Sequence, residues 1–141
     1  MAKRRFLDTN ILVYSFDSSA PSKRSRAQQL ISEALRDGSG VISYQVVQEF
    51  LNAALRRFRK PMPIQSAQAY LERVLWPLCG VLPEARLYKD AVSIANETGW
   101  SFYDSLIVSS AVAGRCAILL TEDLQDGRIV RGVEIQNPFA P

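Results

Sequence analysis

The sequence predicts an α/β protein, a three-layer α/β/α sandwich with a mostly parallel central sheet. Three observations carry that prediction. Short apolar runs with strand character alternate along the chain with longer segments of helical periodicity, the order that places parallel strands between crossover helices. Several of those apolar runs end abruptly in acidic residues. The chain has 141 residues, 48% of them hydrophobic, which suits one domain with a sizeable core. One domain, residues 1–141, is therefore expected.

The elements follow in order. Arg5 to Leu7 reads as a first strand, and Asp8-Thr9-Asn10 interrupts the apolar run before Ile11-Leu12-Val13-Tyr14 resumes it as a short helix from Asn10 to about Phe16. Asp17-Ser18-Ser19-Ala20-Pro21 breaks that helix, with Asp17 as a turn residue. Ser22 is expected to cap a second helix, Lys23 to Arg36, whose Ala27, Leu30, Ile31, Ala34 and Leu35 share one face. Gly38 and Gly40 stop it, and Val41-Ile42-Ser43 is a short buried strand. A third helix, Tyr44 to Phe58, carries the apolar stripe Val46, Val47, Phe50, Leu51, Ala54, Leu55 and Phe58, leaving Gln45, Gln48, Glu49, Asn52 and Arg56 on its polar side.

Lys60 to Pro63 is a connector, Ile64 to Leu75 a further helix ended by Trp76-Pro77, and Cys79 to Leu82 a strand. Pro83 opens a helix that Gly99 closes. Trp76 and Trp100 are expected to pack in the core or an interface. Ser101 then caps a helix through Ala113 that is apolar on nearly all sides, and so is expected to be central and buried. Ala117 to Thr121 is the clearest strand and runs directly into Glu122-Asp123-Leu124-Gln125-Asp126. Val133-Glu134-Ile135 alternates as a last strand.

Composition excludes whole mechanisms. There is no histidine, so no Ser-His-Asp triad, Cys-His dyad or histidine-based zinc site can be built. Two cysteines, Cys79 and Cys116, are too few for a thiolate zinc site, and both sit in apolar runs expected to be strands with free thiols. Any metal would have oxygen ligands, which favours Mg²⁺ or Mn²⁺. The net charge is +3 and the pI about 9.1, with bases grouped at Lys3-Arg4-Arg5, Lys23-Arg24-Arg26 and Arg56-Arg57-Arg59-Lys60. Such groups suit a polyanion, although solvated surface or a helix C-terminus accounts for them as well. No apolar stretch approaches the roughly 20 residues that span a bilayer, and no apolar signal core opens the chain. A cytoplasmic protein is expected.

Four acids stand out once the order of elements is laid down. Asp8 ends a strand, Glu49 lies early in a helix that follows a strand, Asp104 occupies the first turn of the apolar helix, and Asp123 follows the last long strand. In a parallel α/β sheet these positions share the edge where ligands gather. Each acid has an ordinary alternative: Asp8 as a helix cap, Glu49 as a solvated helix residue. Asp104 is the hardest to explain that way, because an ionised carboxylate beside so much apolar surface is costly without a partner. Converging carboxylates repel by roughly 4 kcal/mol per pair at 4 Å and an effective dielectric near 20, so together they call for cations. Divalent ions there would support phosphodiester hydrolysis by an activated water. Thr9, Asn10, Ser105 and Thr121 are candidates to orient the carboxylates or waters.

The residues Leu7-Asp8-Thr9-Asn10, Ser43-Tyr44-Gln45 leading to Gln48-Glu49-Phe50, Ser101 through Ile107, and Leu120-Thr121-Glu122-Asp123-Leu124, with the Asn137-Pro138-Phe139 ending, together resemble the PIN domain, specifically VapC-type toxins of bacterial toxin–antitoxin pairs. The resemblance spans almost the whole chain. It implies an Mg²⁺- or Mn²⁺-dependent endoribonuclease with Asp8, Glu49, Asp104 and Asp123 as its metal-binding and catalytic acids. It further implies a homodimer neutralised by a small antitoxin protein. Asp126 is the second choice for the fourth acid. Two other readings are kept: a PIN-like module that binds RNA or protein without turnover, and an aspartate phosphotransfer domain. The last leaves Glu49 and Asp104 unexplained and lacks a lysine at a late strand end.

Overall fold

The computed structural model describes residues 3–141. Six strands form one sheet in the order β3-β2-β1-β4-β6-β5. The strands are β1 (Arg5–Leu7), β2 (Gly40–Ser43), β3 (Cys79–Val81), β4 (Ile118–Leu120), β5 (Ile129–Val130) and β6 (Val133–Gln136). Every pairing is parallel except β5 with β6. Central β1 runs beside β2, with Phe6 opposite Val41, and beside β4, with Phe6 opposite Leu119. From β1 the chain builds outward to β2 and β3, then returns to the other side of β1 for β4. The strand order thus reverses between β1 and β4, and the crevice beyond their C-terminal ends is the ligand position of such sheets.

Seven helices accompany the strands among the described residues: α1 (Thr9–Tyr14), α2 (Pro21–Asp37), α3 (Tyr44–Arg56), α4 (Ile64–Tyr70), α5 (Trp76–Leu78), α6 (Ala85–Thr98) and α7 (Phe102–Ala113). Alternation along β2 separates the layers. The Gly40 position faces Ala34 of α2, whereas the next residue, Val41, meets Gly114 at the end of α7. Helices therefore cover both faces, completing the three-layer sandwich. Phe6, Phe50, Leu12, Ile42, Ile94, Leu119 and Ile135 are fully buried in a shared core. Helix α7 runs through the interior, buried from Ser105 to Ala111. Two of its buried polar positions are satisfied, Ser109 Oγ donating to Leu87 O at 2.8 Å and Ser110 Oγ to Leu106 O at 2.7 Å.

Several boundaries follow local rules visible in the sequence. Gly38 and Gly99 adopt left-handed conformations, φ 71° and 76°, at the ends of α2 and α6. Ser43 and Ser101 cap α3 and α7 by accepting from Val46 N and Asp104 N. Other expectations require correction. Ser22 does not cap α2: Pro21 occupies the first turn, where its missing N–H is harmless, and Ala20 precedes it with no side-chain cap. The helix from Ile64 does not stop at Trp76-Pro77; a π-helical turn, Leu71–Leu75, re-phases it and α5 carries it to Leu78. Trp76 is 58% exposed rather than packed away, while Trp100 is half-buried beneath the Arg128 guanidinium at 4.6 Å. Leu55 is largely exposed and Gln45 buried, the reverse of their expected sides. Cys116 is buried just before β4 rather than within a strand, Cys79 is half-buried in β3, and both thiols are free.

The close approach of β2 to α2 sets a packing test. A Cβ at Gly40 would lie 2.2 Å from the Ala34 Cβ and 3.3 Å from Leu7 Cδ1. Gly40→Ala is therefore expected to destabilise the protein by about 1–3 kcal/mol, read as a lower urea midpoint. An unchanged midpoint would mean that α2 can withdraw freely from the sheet.

Candidate active site

Asp8 stands where β1 becomes α1, at the reversal of strand order. Its backbone N donates to Leu120 O of β4 at 3.1 Å, extending the β1–β4 ladder by one bond. Its backbone is extended, as an N-cap requires, and Oδ1 accepts from Thr9 N at 2.7 Å. The other oxygen, Oδ2, accepts from Thr121 Oγ1 at 2.7 Å. The capping alternative is thus real, and it occupies one oxygen while the site occupies the other.

Packing of α1 against α3 brings in Glu49, whose Oε1 accepts from Thr9 Oγ1 at 2.7 Å. Asp123 is placed from the β4 side: its N donates to Thr121 Oγ1 at 3.2 Å, and its Oδ2 accepts from Asn10 Nδ2 at 3.1 Å. Asp104 comes from the first turn of α7, where Ser101 holds its backbone N. All four acids line one cavity of about 210 Å³ with Thr9 and Asn10. Thr121 is the common strut, donating to Asp8 and accepting from Asp123 N. Hydroxyl and amide groups of Thr9, Asn10 and Thr121 fix three carboxylates, the kind of supporting contact that orients metal ligands.

The remaining candidates fall elsewhere. Asp126 Oδ1 accepts from Asn137 N at 2.8 Å, ordering the C-terminal segment instead of lining the cavity. Ser105 Oγ is buried without a hydrogen-bond partner and touches none of the acids through hydrogen bonds. Glu122, next to Asp123, accepts from the Tyr14 hydroxyl and pairs with Lys23 Nζ at 2.8 Å. Burial pushes the Glu122 carboxyl up, but the bonds from Lys23 and Tyr14 outweigh it and hold it below its ordinary value. Four residues at the cavity were not anticipated as site residues: Gln45, Arg57, Tyr103 and Ile107. Gln45 precedes Glu49 by four positions, so helical spacing alone would have put them together.

Electrostatics show what the cluster needs. Burial raises the Asp8 carboxyl to about 6, with repulsion from Asp123 and Glu49 adding to it and the Thr121 and Thr9 bonds opposing it. Asp123 is also raised, by burial first and then by Glu122 and Asp104, against the Asn10 bond. Among the described residues no three acids converge tightly enough to form a ready-made metal cage. An open arrangement still suits Mg²⁺, which keeps several waters and binds through one or two carboxylates. Gln45 Oε1, buried at the wall with no partner, offers a further oxygen to such water.

A PIN domain family model matches residues 5–129. No curated protein sequence matches. Among solved structures, a toxin–antitoxin complex from Klebsiella pneumoniae contains a chain that is 20% identical, with a TM-score of 0.69 over 96% of this chain and 98% of that one. VapBC2 from Rickettsia felis, bound to a DNA fragment from its promoter, contains one that is 18% identical, with a TM-score of 0.65 over 94% of this chain and 97% of that one. At these identities the likeness speaks for the fold.

The raised Asp8 carboxyl has a signed consequence for stability. In the fold it releases its proton at about 6 rather than 3.8, so its contribution falls as pH rises from about 4 through 6 and is lost above that window. In EDTA, Asp8→Asn is therefore expected to be more stable than the parent at pH 7.5, by about 3 kcal/mol at 1.36 kcal/mol per pKa unit, and to lose that advantage near pH 4. Urea unfolding at the two pH values measures it; a variant equally destabilised at both would contradict the strain assigned to Asp8.

Proposed function

The chain belongs to the PIN domain family, and from that premise we propose that it is a divalent-metal-dependent endoribonuclease, the toxin of a toxin–antitoxin pair. The observation that carries the reading is the meeting of Asp8, Glu49, Asp104 and Asp123 in one cavity at the switch point of the sheet. Four acids from four separate elements repel one another and weaken the fold, which makes sense where a cation offsets them. The toxin assignment draws on two structural relatives, a chain of a toxin–antitoxin complex and a chain of VapBC2. A small antitoxin protein is the partner proposed on that basis, with homodimerisation and a cytoplasmic site of action. No helix among the described residues is long and apolar enough to cross a membrane.

Asp8, Asp104 and Asp123, with Glu49, would hold Mg²⁺ or Mn²⁺, which when bound lowers the pKa of a water and offsets phosphate charge. The chain's own groups prepare the ground. Thr121 and the Thr9 amide fix the Asp8 oxygens, Asn10 turns Asp123 inward, and the Thr9 hydroxyl holds Glu49. Lys23 and Tyr14 keep Glu122 out of the cluster. Arg57 at the rim supplies a permanent cation for the scissile phosphate. In the reaction a water oxygen forms the new bond to phosphorus as the ribose oxygen departs and takes up a proton.

Purified protein incubated with tRNA, rRNA fragments and unstructured RNA is expected to cleave in Mg²⁺ or Mn²⁺ and to stop in EDTA. Asp8→Asn and Asp104→Asn are expected to abolish cleavage in every lane. Thr121→Val, which removes the strut while sparing the carboxylates, should lower cleavage about 10- to 100-fold. Activity that survives EDTA or either aspartate change would overturn the mechanism; RNA affinity without turnover would make the chain a binding module instead.

A further inference from the structure

A larger cavity, about 650 Å³, opens beside the carboxylate site between the end of α1 and the segment after α3. Phe16 and Phe58 line it, together with Arg57, Arg59 and Lys60. Arg57 lines both cavities, so one residue joins them. Phe16 is 43% exposed, yet its ring rests on Phe58 and Phe50 at 5.8 Å and on Tyr70 at 5.2 Å. An exposed aromatic ring packed against three others, of which Phe58 also lines the cavity, is a preformed stacking surface. Asp17, also at the cavity, supplies a fixed acceptor, its Oδ1 receiving Ser19 N at 2.9 Å and Ser19 Oγ at 2.5 Å.

Three cations line this cavity against one acid, Asp17. Among the described residues none of Arg57, Arg59 and Lys60 takes part in an ion pair. The other two basic groups are partly engaged within the fold: Arg5 with Glu33, Lys23 with Glu122, Arg4 with Gly114 O and Arg26 with Pro138 O. Three neighbouring cations beside an exposed ring, adjoining a site suited to phosphate chemistry, form the combination that tracks a single strand: bases stack and phosphates find cations.

We propose that this cavity is a subsite for single-stranded RNA, holding the nucleotide next to the one cut. Its base lies on Phe16 and Phe58, its phosphates meet Arg57, Arg59 and Lys60, and Asp17 accepts from an exocyclic amine on the base edge. The substrate class rests on the nuclease reading above; the subsite adds the route the strand takes out of the carboxylate site. A duplex does not fit this geometry, because a paired base cannot reach an aromatic face at the wall.

Binding of a labelled single-stranded oligoribonucleotide of mixed sequence tests this, using fluorescence anisotropy across a salt series. The full chain carries Asp8→Asn, with Mg²⁺ present, to keep the strand intact. Adding Arg59→Gln and Lys60→Gln is expected to weaken binding and flatten the slope of log affinity against log salt by about 1.4, roughly 0.7 per lost phosphate contact. Phe16→Leu should weaken binding about tenfold with the slope unchanged, its fold checked by circular dichroism. The charge-matched pair Arg86→Gln and Lys89→Gln on α6 should leave both quantities as they are. A groove pair that behaves like the α6 pair would overturn the subsite while leaving the nuclease reading intact wherever the parent chain cleaves RNA. Groove-dependent binding by a parent that cleaves nothing would uphold the subsite and overturn the nuclease reading. No measurable affinity at low salt would overturn both.

Discussion

The placement of β1 between β2 and β4 is the constraint on which the site depends. A strand with parallel neighbours on both sides, one formed soon after it in the chain and the other much later, ends where the chain's direction of growth across the sheet reverses. Nothing covers that end from within the sheet, so the residue following it faces a crevice. Here that residue is Asp8, locked by a backbone bond to Leu120 and a side-chain bond to Thr121. Glu49 and Asp104 arrive because α3 packs on α1 and α7 lies under the sheet with its N-terminus at the same edge. The cluster follows from the topology, and its strain follows from the cluster.

Much of this was legible from residue order. An apolar strand broken by Asp8, a helix apolar on nearly all sides with Asp104 in its first turn, and a strand running into Glu122-Asp123 all locate the edge before any coordinate is known. Glycine stops at Gly38 and Gly99 and serine caps at Ser43 and Ser101 are local chemistry and fell where local rules put them. What escaped was decided by tertiary context. The π-helical turn at Leu71–Leu75 has no composition of its own, and it carries the helix past a Trp-Pro pair that reads as a stop. Gln45 lies off the apolar stripe of α3, yet it is buried because it forms part of the cavity wall, and the stripe alone does not reveal that. The short β5 was overlooked although Arg131-Gly132, both at positive φ (52° and 80°), form the turn to β6 that a residue–Gly pair between two apolar runs foretells.

The acidic stretch after β4 shows where sequence reading ends. Glu122, Asp123 and Asp126 are chemically similar and within five positions of one another, and only their partners separate them. Lys23 and Tyr14 claim Glu122, the Asn137 amide claims Asp126, and Asn10 draws Asp123 to the cavity. Each partner lies ten or more residues away in sequence, so no local pattern encodes the choice. Their partners divide the three: one acid is held by a salt bridge, one accepts at a turn, and one faces the cavity.

The two rims of the sheet carry a consequence of their own. β5 is two residues long and β3 is three, with Gly80 at its centre. Rims this short offer almost no run of free amides and carbonyls on which a foreign strand could grow, a built-in guard against amyloid-like stacking. The same brevity restricts how this chain can join another. Short edges disfavour extension of the sheet across a boundary, so a lasting assembly is best made through helical surfaces and loops.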